Sequence, residues 1–121
     1  MRERGLVVGT IGNVSARDGA DALRITPTRT DYRGLRAREL VRVGVRDGVV
    51  RTSGAWRRTA AAPSQELPLH LAVYRARPDV GAIVHTHSPH ATAWSFHGGP
   101  LAPRTEDMDY YAVGEVRCSP P

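Results

Sequence analysis

Two Asp-Gly pairs divide the first half of the chain into short segments. The pairs are Asp18-Gly19 and Asp47-Gly48. Asp-Gly is favoured in the two-residue turns that join antiparallel strands, because glycine adopts a positive φ at little steric cost. Between these turns, residues 41–46 alternate apolar and polar side chains, which is typical of a half-buried strand. The predicted strands lie at residues 14–17, 23–26, 41–46 and 49–51.

The second half of the chain alternates helical and extended segments. Ser64 has the side chain of a helix N-cap, and Pro78 ends the helix that follows it. Within this helix, His70 and Tyr74 are assigned to packing. Hairpins followed by alternating helix and strand predict a sheet with helices packed on it. The remaining expectations are a helical turn over 35–40, a loop over 52–63, a helix over 90–96 that starts at Ser88-Pro89, and a strand over 115–118.

An apolar run over residues 81–84 leads into two histidines separated by one residue, His85 and His87. Side chains alternate faces along a strand, so both imidazoles are expected on the same side. Two imidazoles side by side at a strand end can occupy adjacent positions on one metal ion. Taken alone, such a pair is more often structural than metal-binding, so it becomes informative only through the residues around it.

The chain of 121 residues contains no lysine, and all 17 of its basic side chains are arginine. A Schiff base between a side-chain amine and a carbonyl substrate is therefore excluded within this chain. Carbanion chemistry here would need a metal ion to withdraw electrons from the substrate.

The net charge of +5 is spread along the chain rather than clustered. Such a distribution favours an anionic small molecule as partner over nucleic acid. No apolar run reaches the length of a transmembrane helix, so no membrane partner is expected. The single cysteine, Cys118, has no partner for an internal disulfide, which is typical of a protein in the reducing cytoplasm.

Three further segments are candidates to join the two histidines. The glycine-rich loop over residues 9–13 ends in Asn13, and such loops present backbone N–H groups to anions. The turn at 26–28 adds two threonine hydroxyls. Residues 64–66 lie at a helix start, where free N–H groups and the helix dipole favour an anion. Each segment alone is weak support for a site, and their order along the chain strengthens it.

The order and spacing of these segments resemble those of a known family from about residue 5 to Cys118. The segments that carry the resemblance are Gly9-Thr10-Ile11-Gly12-Asn13-Val14-Ser15, Ile25-Thr26-Pro27-Thr28, Pro63-Ser64-Gln65-Glu66, the run from His70 to Asp79, and the run from Ile83 to Ala93. The family is the class II aldolase/adducin family, whose type members are zinc-dependent L-fuculose-1-phosphate aldolase and L-ribulose-5-phosphate 4-epimerase. The resemblance implies an α/β fold, a three-layer α/β/α sandwich around a mainly antiparallel sheet.

The resemblance also implies a role for each site residue. His85 and His87 correspond to two of three histidines that bind Zn2+ or another divalent metal. Glu66 corresponds to the catalytic acid/base of the aldolase branch, whereas the epimerase branch tends to have Asp. The positions that correspond to the substrate phosphate pocket are Gly12, Asn13, Thr28, Arg29, Ser64 and Gln65. Arg29 stands where a glycine is usual, so it either pairs with a phosphate or carboxylate or blocks the approach that glycine allows.

The activity implied by the resemblance is that of a lyase, a zinc-dependent sugar-phosphate aldolase. Zinc would polarise the carbonyl of a ketose phosphate, and Glu66 would move the proton on the neighbouring carbon, so that retro-aldol cleavage passes through a metal-stabilised enediolate. Two alternatives stay open, namely a sugar-phosphate 4-epimerase of the same family and a non-catalytic, adducin-like or truncated relative.

The resemblance covers only part of a family domain. Family members have roughly one more helix before the glycine loop, and their third metal histidine lies in a His-Gly segment well beyond the position of Pro121. His97, which lies in a loop, does not match that histidine. Residues 1–121 are therefore expected to form a single domain that lacks the N-terminal helix and the C-terminal part, with an incomplete sheet. Because family members are homotetramers, a homo-oligomer is expected.

Overall fold

The computed structural model describes residue 3 and residues 5–7, 9–51, 61–111 and 113–119. The loop predicted over 52–63 falls mostly outside these residues, at 52–60. The chain divides into two compact units, Met1–His87 and Ser88–Pro121.

The first unit is built on a four-stranded antiparallel sheet with the order β3-β2-β1-β4. The strands are β1 (Asn13–Arg17), β2 (Ala22–Ile25), β3 (Val41–Gly44) and β4 (Ala82–His85). Asp18-Gly19 lies in the loop between β1 and β2, which spans residues 18–21 and is longer than a two-residue turn, with Gly19 at a φ of +76°. The Asp18 N–H donates to the Ala22 carbonyl across this loop, at 2.8 Å. The predicted antiparallel hairpin at this loop is confirmed.

The second predicted hairpin is shorter than expected. β3 ends at Gly44, two residues before the predicted end, and among the residues described up to Arg51 the returning segment pairs with it through one isolated bridge, between Val43 and Val50. The reason lies in the turn, where the Asp47 carboxylate accepts the Val49 N–H and the Gly48 N–H returns to the Gly44 carbonyl. These local hydrogen bonds close the turn directly after Gly44, while the Gly44 N–H still donates to the Val49 carbonyl and the Arg51 N–H to the Arg42 carbonyl across the hairpin.

One helix, α1 (Leu67–Ala76), covers one face of this sheet. Its Leu71 and Tyr74 side chains are buried in a single core with residues of β2 and β3. The prediction that Ser64 is the N-cap is wrong, because Glu66 holds that position and the Ser64 hydroxyl instead accepts the Glu66 N–H, at 3.2 Å. The helix ends before Pro78, as predicted.

The second unit contains two short helices, α2 (Pro89–Ser95) and α3 (Glu106–Tyr110). The helix predicted after Ser88-Pro89 is confirmed. The strand predicted over 115–118 is wrong, because that segment forms only an isolated bridge between Leu101 and Val116. In the first unit, the helical turn predicted over 35–40 is confirmed as a 3-10 helix at Ala37–Glu39. Across the described part of the chain, no helix is both long and apolar enough to cross a membrane.

Candidate functional site

Glu66 is held at the start of α1 by the turn that precedes the helix. The Leu67 N–H donates to the Ser64 carbonyl at 3.0 Å, and the Ser64 hydroxyl accepts the Glu66 N–H. Pro68 follows within the first helical turn, where its missing N–H removes no helical hydrogen bond. The carboxylate is about one-third exposed and is directed towards the end of β4.

The two histidines flank the end of β4. His85 is its last residue and lies opposite Asn13 of β1, so the two share a face of the sheet. His87 lies beyond the strand and is fixed by its N–H, which donates to the Leu6 carbonyl at 3.1 Å. The Nε2 atoms of His85 and His87 are 3.0 Å apart. The expectation that both rings point to the same side is confirmed, although the strand ends before His87.

Glu66, His85 and His87 bring their donor atoms together within 4.8 Å of one another. The Nε2 atom of His85 lies 3.2 Å from Oε2 of Glu66, and that of His87 lies 3.7 Å from Oε1. Two ligands of one tetrahedral zinc ion, at bonds of about 2.0 Å, lie about 3.3 Å apart. Imidazole and carboxylate are also donors that zinc prefers, so these three side chains fit a divalent metal ion.

A cavity of about 250 Å³ opens beside this cluster. Its walls contain every residue predicted for the phosphate pocket, together with Glu66 and His87. Four further residues, which were not predicted for the pocket, also line it. The complete lining is Thr10, Ile11, Gly12, Asn13, Pro27, Thr28, Arg29, Tyr32, Ser64, Gln65, Glu66 and His87. The sequence-predicted segments therefore meet in space, and the lining combines carboxylate and imidazole with hydroxyl, amide and guanidinium groups.

The cavity wall depends on two unusual backbone conformations. Gly12 has a φ of +89°, and an added Cβ there would lie 2.9 Å from the His85 carbonyl oxygen. Glycine therefore allows the loop to approach β4 closely. Arg29 has a φ of +51°, the only positive φ among the described non-glycine residues. This conformation favours glycine, so an exposed arginine there is held at a cost.

Tyr32 is a cavity residue that sequence reasoning missed. Its hydroxyl donates to the Gly12 carbonyl and so ties the loop after Thr28 to the glycine loop. Burial raises the pKa of Tyr32, and the negative charge of Glu66 raises it further against a hydrogen bond with Thr26. The signal available in the sequence was one aromatic side chain in an otherwise polar loop.

Asn13 has a different environment from the one expected of a phosphate ligand alone. It is buried, and its side-chain amide donates to Oε2 of Glu66 while its oxygen contacts Nε2 of His70. The expectation that His70 and Tyr74 pack inside is confirmed by their burial. Their hydrogen bonds were not expected, because a helical period identifies a buried position without identifying its partner.

Comparison with known proteins gives the same family as the sequence segments. The model of the family described as Class II Aldolase and Adducin N-terminal domain matches residues 1–121. An L-fuculose 1-phosphate aldolase is similar in structure with a TM-score of 0.77, at 31% identity over 95% of this chain and 51% of its own. The L-fuculose-1-phosphate aldolase of Thermus thermophilus has a TM-score of 0.75 and 28% sequence identity, over 96% of this chain and 55% of its own. The L-fuculose 1-phosphate aldolase of Glaciozyma antarctica has a TM-score of 0.75 and 27% sequence identity, over 92% of this chain and 45% of its own.

This chain therefore spans about half the length of the solved structures that it resembles. The expected α/β fold around an antiparallel sheet, incomplete relative to the aldolases, is confirmed.

Proposed function

Because the chain belongs to the class II aldolase and adducin N-terminal domain family, we propose that it carries the metal- and phosphate-binding part of a sugar-phosphate aldolase. The observation that supports this is the cluster of Glu66, His85 and His87, of which Glu66 and His87 line the same cavity as all the predicted phosphate-binding residues. The reaction proposed is retro-aldol cleavage of a ketose phosphate.

A divalent ion, Zn2+ in the first instance, would be held by His85, His87 and Glu66. When bound, the ion acts as a Lewis acid that polarises a substrate carbonyl. The protein contributes the preorganisation of its ligands. His85 is fixed by the ladder with β1, His87 by its backbone hydrogen bond to Leu6, and Glu66 by the turn at Ser64.

The phosphate of the substrate would lie against the polar wall of the cavity. Thr28 and Ser64 offer hydroxyl donors there, Gln65 an amide and Arg29 a guanidinium. A guanidinium can pair with two oxygens of a phosphate at once, and its charge is independent of pH in the physiological range. We propose that Arg29 anchors the anion rather than blocking it, which gives its strained backbone a functional reason.

Glu66 would serve as the acid/base of the reaction when substrate oxygens replace its carboxylate on the metal ion. Its carboxylate lies between the phosphate wall and the two imidazoles, so it can reach the carbon next to the carbonyl of a substrate that spans both. In the cleavage direction the carboxylate would take the hydroxyl proton from the carbon that becomes the aldehyde, the bond between that carbon and the carbon next to the carbonyl would break, and the proton would be delivered to the carbon next to the carbonyl. Glutamate at this position favours the aldolase over the epimerase alternative, in keeping with the family resemblance.

Metal content separates the enzyme from a non-catalytic relative. Isothermal titration of metal-free protein with Zn2+ should give one ion per chain, and His85→Ala and His87→Ala should abolish this binding. His97→Ala, which removes an exposed imidazole of the second unit, is the matched control and should bind as the parent does. Binding that is absent, or that survives both site substitutions, would remove the basis of the proposal.

A coupled retro-aldol assay on ketose 1-phosphates, run beside a 4-epimerisation assay on ketose 5-phosphates, tests the proposed reaction and substrate class. Cleavage without epimerisation supports the aldolase, and the reverse result supports the epimerase. The family also leads us to propose a homo-oligomer, which sedimentation velocity would detect.

A further inference from the structure

A row of polar side chains is buried between β1 and α1. Asn13 and Ser15 are two residues apart in β1, so their side chains lie on the same face of the strand, the face that α1 covers. On α1, His70 and Tyr74 lie one helical turn apart. All four are at most 3% exposed. Buried polar groups are costly unless they are hydrogen-bonded, so their partners define what these residues do.

The four residues form one continuous chain of hydrogen bonds that ends at Glu66. The Tyr74 hydroxyl lies 2.9 Å from the Ser15 hydroxyl, which lies 2.6 Å from Nδ1 of His70. Nε2 of His70 contacts Oδ1 of Asn13, and Nδ2 of Asn13 contacts Oε2 of Glu66. Among the described residues, no buried side-chain nitrogen or oxygen lacks a hydrogen-bond partner.

The chemistry of the two ends sets the direction of every donor. An ionised carboxylate only accepts, so the Asn13 amide must turn its NH2 to Glu66 and its oxygen to His70. That oxygen also only accepts, so Nε2 of His70 carries a proton. The His70 ring is fully buried and both of its hydrogen-bond partners are uncharged, which favours the neutral ring. Burial also lowers the pKa of His70, and the interaction with His85 lowers it further against the opposing effect of Glu66. Nδ1 of the neutral ring accepts from Ser15. Tyr74 then donates to Ser15.

We infer that His70, in its neutral Nε2–H tautomer, is a positioning residue that holds the Asn13 amide in the orientation that donates to Glu66. If Nε2 carried no proton, the amide would gain by turning over, and its oxygen would then face the Glu66 carboxylate. The chain from Tyr74 through Ser15 holds the tautomer, because the Ser15 hydroxyl donates to Nδ1. Asn13 therefore orients the Glu66 carboxylate in addition to lining the cavity.

The consequence for function rests on the proposed metal site, of which Glu66 is one ligand. Hydrogen bonds that orient a ligand from behind typically change metal affinity by about 10- to 100-fold when they are lost. Two substitutions of His70 separate the two nitrogens. In His70→Gln the side-chain amide nitrogen reaches the place of Nε2, whereas in His70→Asn it reaches only the place of Nδ1. Both variants replace the imidazole ring by a neutral amide, so the loss of the ring is common to the two. They differ in which ring nitrogen the amide nitrogen replaces.

The first experiment determines the tautomer of His70 in the metal-free parent protein. A long-range 1H–15N NMR spectrum at pH 7 should show His70 as the Nε2–H tautomer, with slowly exchanging Asn13 amide protons. An Nδ1–H tautomer or a protonated ring would overturn the inference.

The second experiment compares the variants by zinc titration and by the exchange rate of the Asn13 amide protons. His70→Asn should weaken zinc binding by about tenfold or more, while His70→Gln should stay within about threefold of the parent. Equal losses in the two variants would contradict a positioning role. If the parent binds no zinc, the proposed function fails, and the Asn13 protons alone decide the inference: protection kept in the glutamine variant and lost in the asparagine variant supports it.

Far-UV circular dichroism checks the fold of both variants. Should either fail to fold, Ser15→Ala takes its place, since it removes only one hydroxyl. It should produce a mixture of His70 tautomers and weaken zinc binding, or raise the Asn13 exchange rate if the parent binds no zinc. An unchanged tautomer with unchanged binding and exchange would overturn the inference.

Discussion

Replacement of Gly12 by alanine tests whether the close approach of the glycine loop to β4 sets the position of His85. The new Cβ would lie 2.6 Å from Cγ1 of Val7 and 2.9 Å from the His85 carbonyl oxygen. The valine side chain can shift, but the carbonyl is part of the strand and moves only if the end of β4 moves. Gly9→Ala is the matched control, because Gly9 also has a positive φ, +60°, with no described atom within 4 Å of an added Cβ.

The two substitutions share one cost and differ in another. Backbone strain at a positive φ costs about 1–2 kcal/mol in both. Overpacking costs a further 1–3 kcal/mol, roughly, and applies to Gly12→Ala alone. The free energy of unfolding should therefore fall by about 2–5 kcal/mol for Gly12→Ala and about 1–2 kcal/mol for Gly9→Ala. Zinc binding should weaken only in Gly12→Ala, because only that change displaces His85.

Urea unfolding followed by far-UV circular dichroism measures the stability difference, and zinc titration measures the effect on the site. The reasoning is refuted if the two variants have the same unfolding midpoint, or if Gly12→Ala binds zinc as tightly as Gly9→Ala.

Three further predictions concern the cavity, the hairpin and the metal. Arg29→Gly should weaken the binding of inorganic phosphate, measured by titration calorimetry, yet raise stability by up to about 1 kcal/mol because it relieves the positive φ; parallel losses would contradict this. Hydrogen bonding to Arg42, with Arg24 contributing, lowers the pKa of Asp18 below its usual 3.8, so the ionised carboxylate stabilises the fold above that value and this stabilisation is lost as the pH falls below it. Asp18→Asn should then be less stable than the parent at pH 7 and no less stable at pH 2, and a constant difference in urea midpoint across that range would be inconsistent with the ion pair. Zinc at 100 times its dissociation constant should raise the free energy of unfolding by about 2.7 kcal/mol, and a thermal midpoint unmoved by zinc would show that the folded state does not bind it.

The β1–β2 hairpin could be predicted from the sequence because its signal is local, whereas the site cavity could be predicted because the order and spacing of its segments resemble those of a known family. Gly19 has a positive φ and the hairpin forms, although its loop spans residues 18–21 rather than two residues. The residues of the cavity were predicted from the order of their segments along the chain, and the residues named for the phosphate pocket do line one cavity. Their roles in binding and catalysis stay predictions until they are measured.

The features that sequence reasoning missed depend on partners distant in the chain. His70 lies 57 residues from Asn13, and no periodicity links a helix face to the polar residues of a strand that far away. Ser64 was misplaced as the N-cap because a hydroxyl that accepts from a nearby N–H serves a turn as well as a helix start. The strand predicted over 115–118 requires a neighbouring strand to form a ladder, and only one residue pair there is bridged.

The central claim is that Glu66, His85 and His87 bind one divalent metal ion together. X-ray absorption at the zinc K-edge of the zinc-loaded protein tests it most directly, because it counts the ligands around the metal. The expected shell has two imidazole nitrogens and carboxylate or water oxygens at about 2.0–2.2 Å. A sulfur ligand at about 2.3 Å, or a shell of oxygens without imidazole, would contradict the claim.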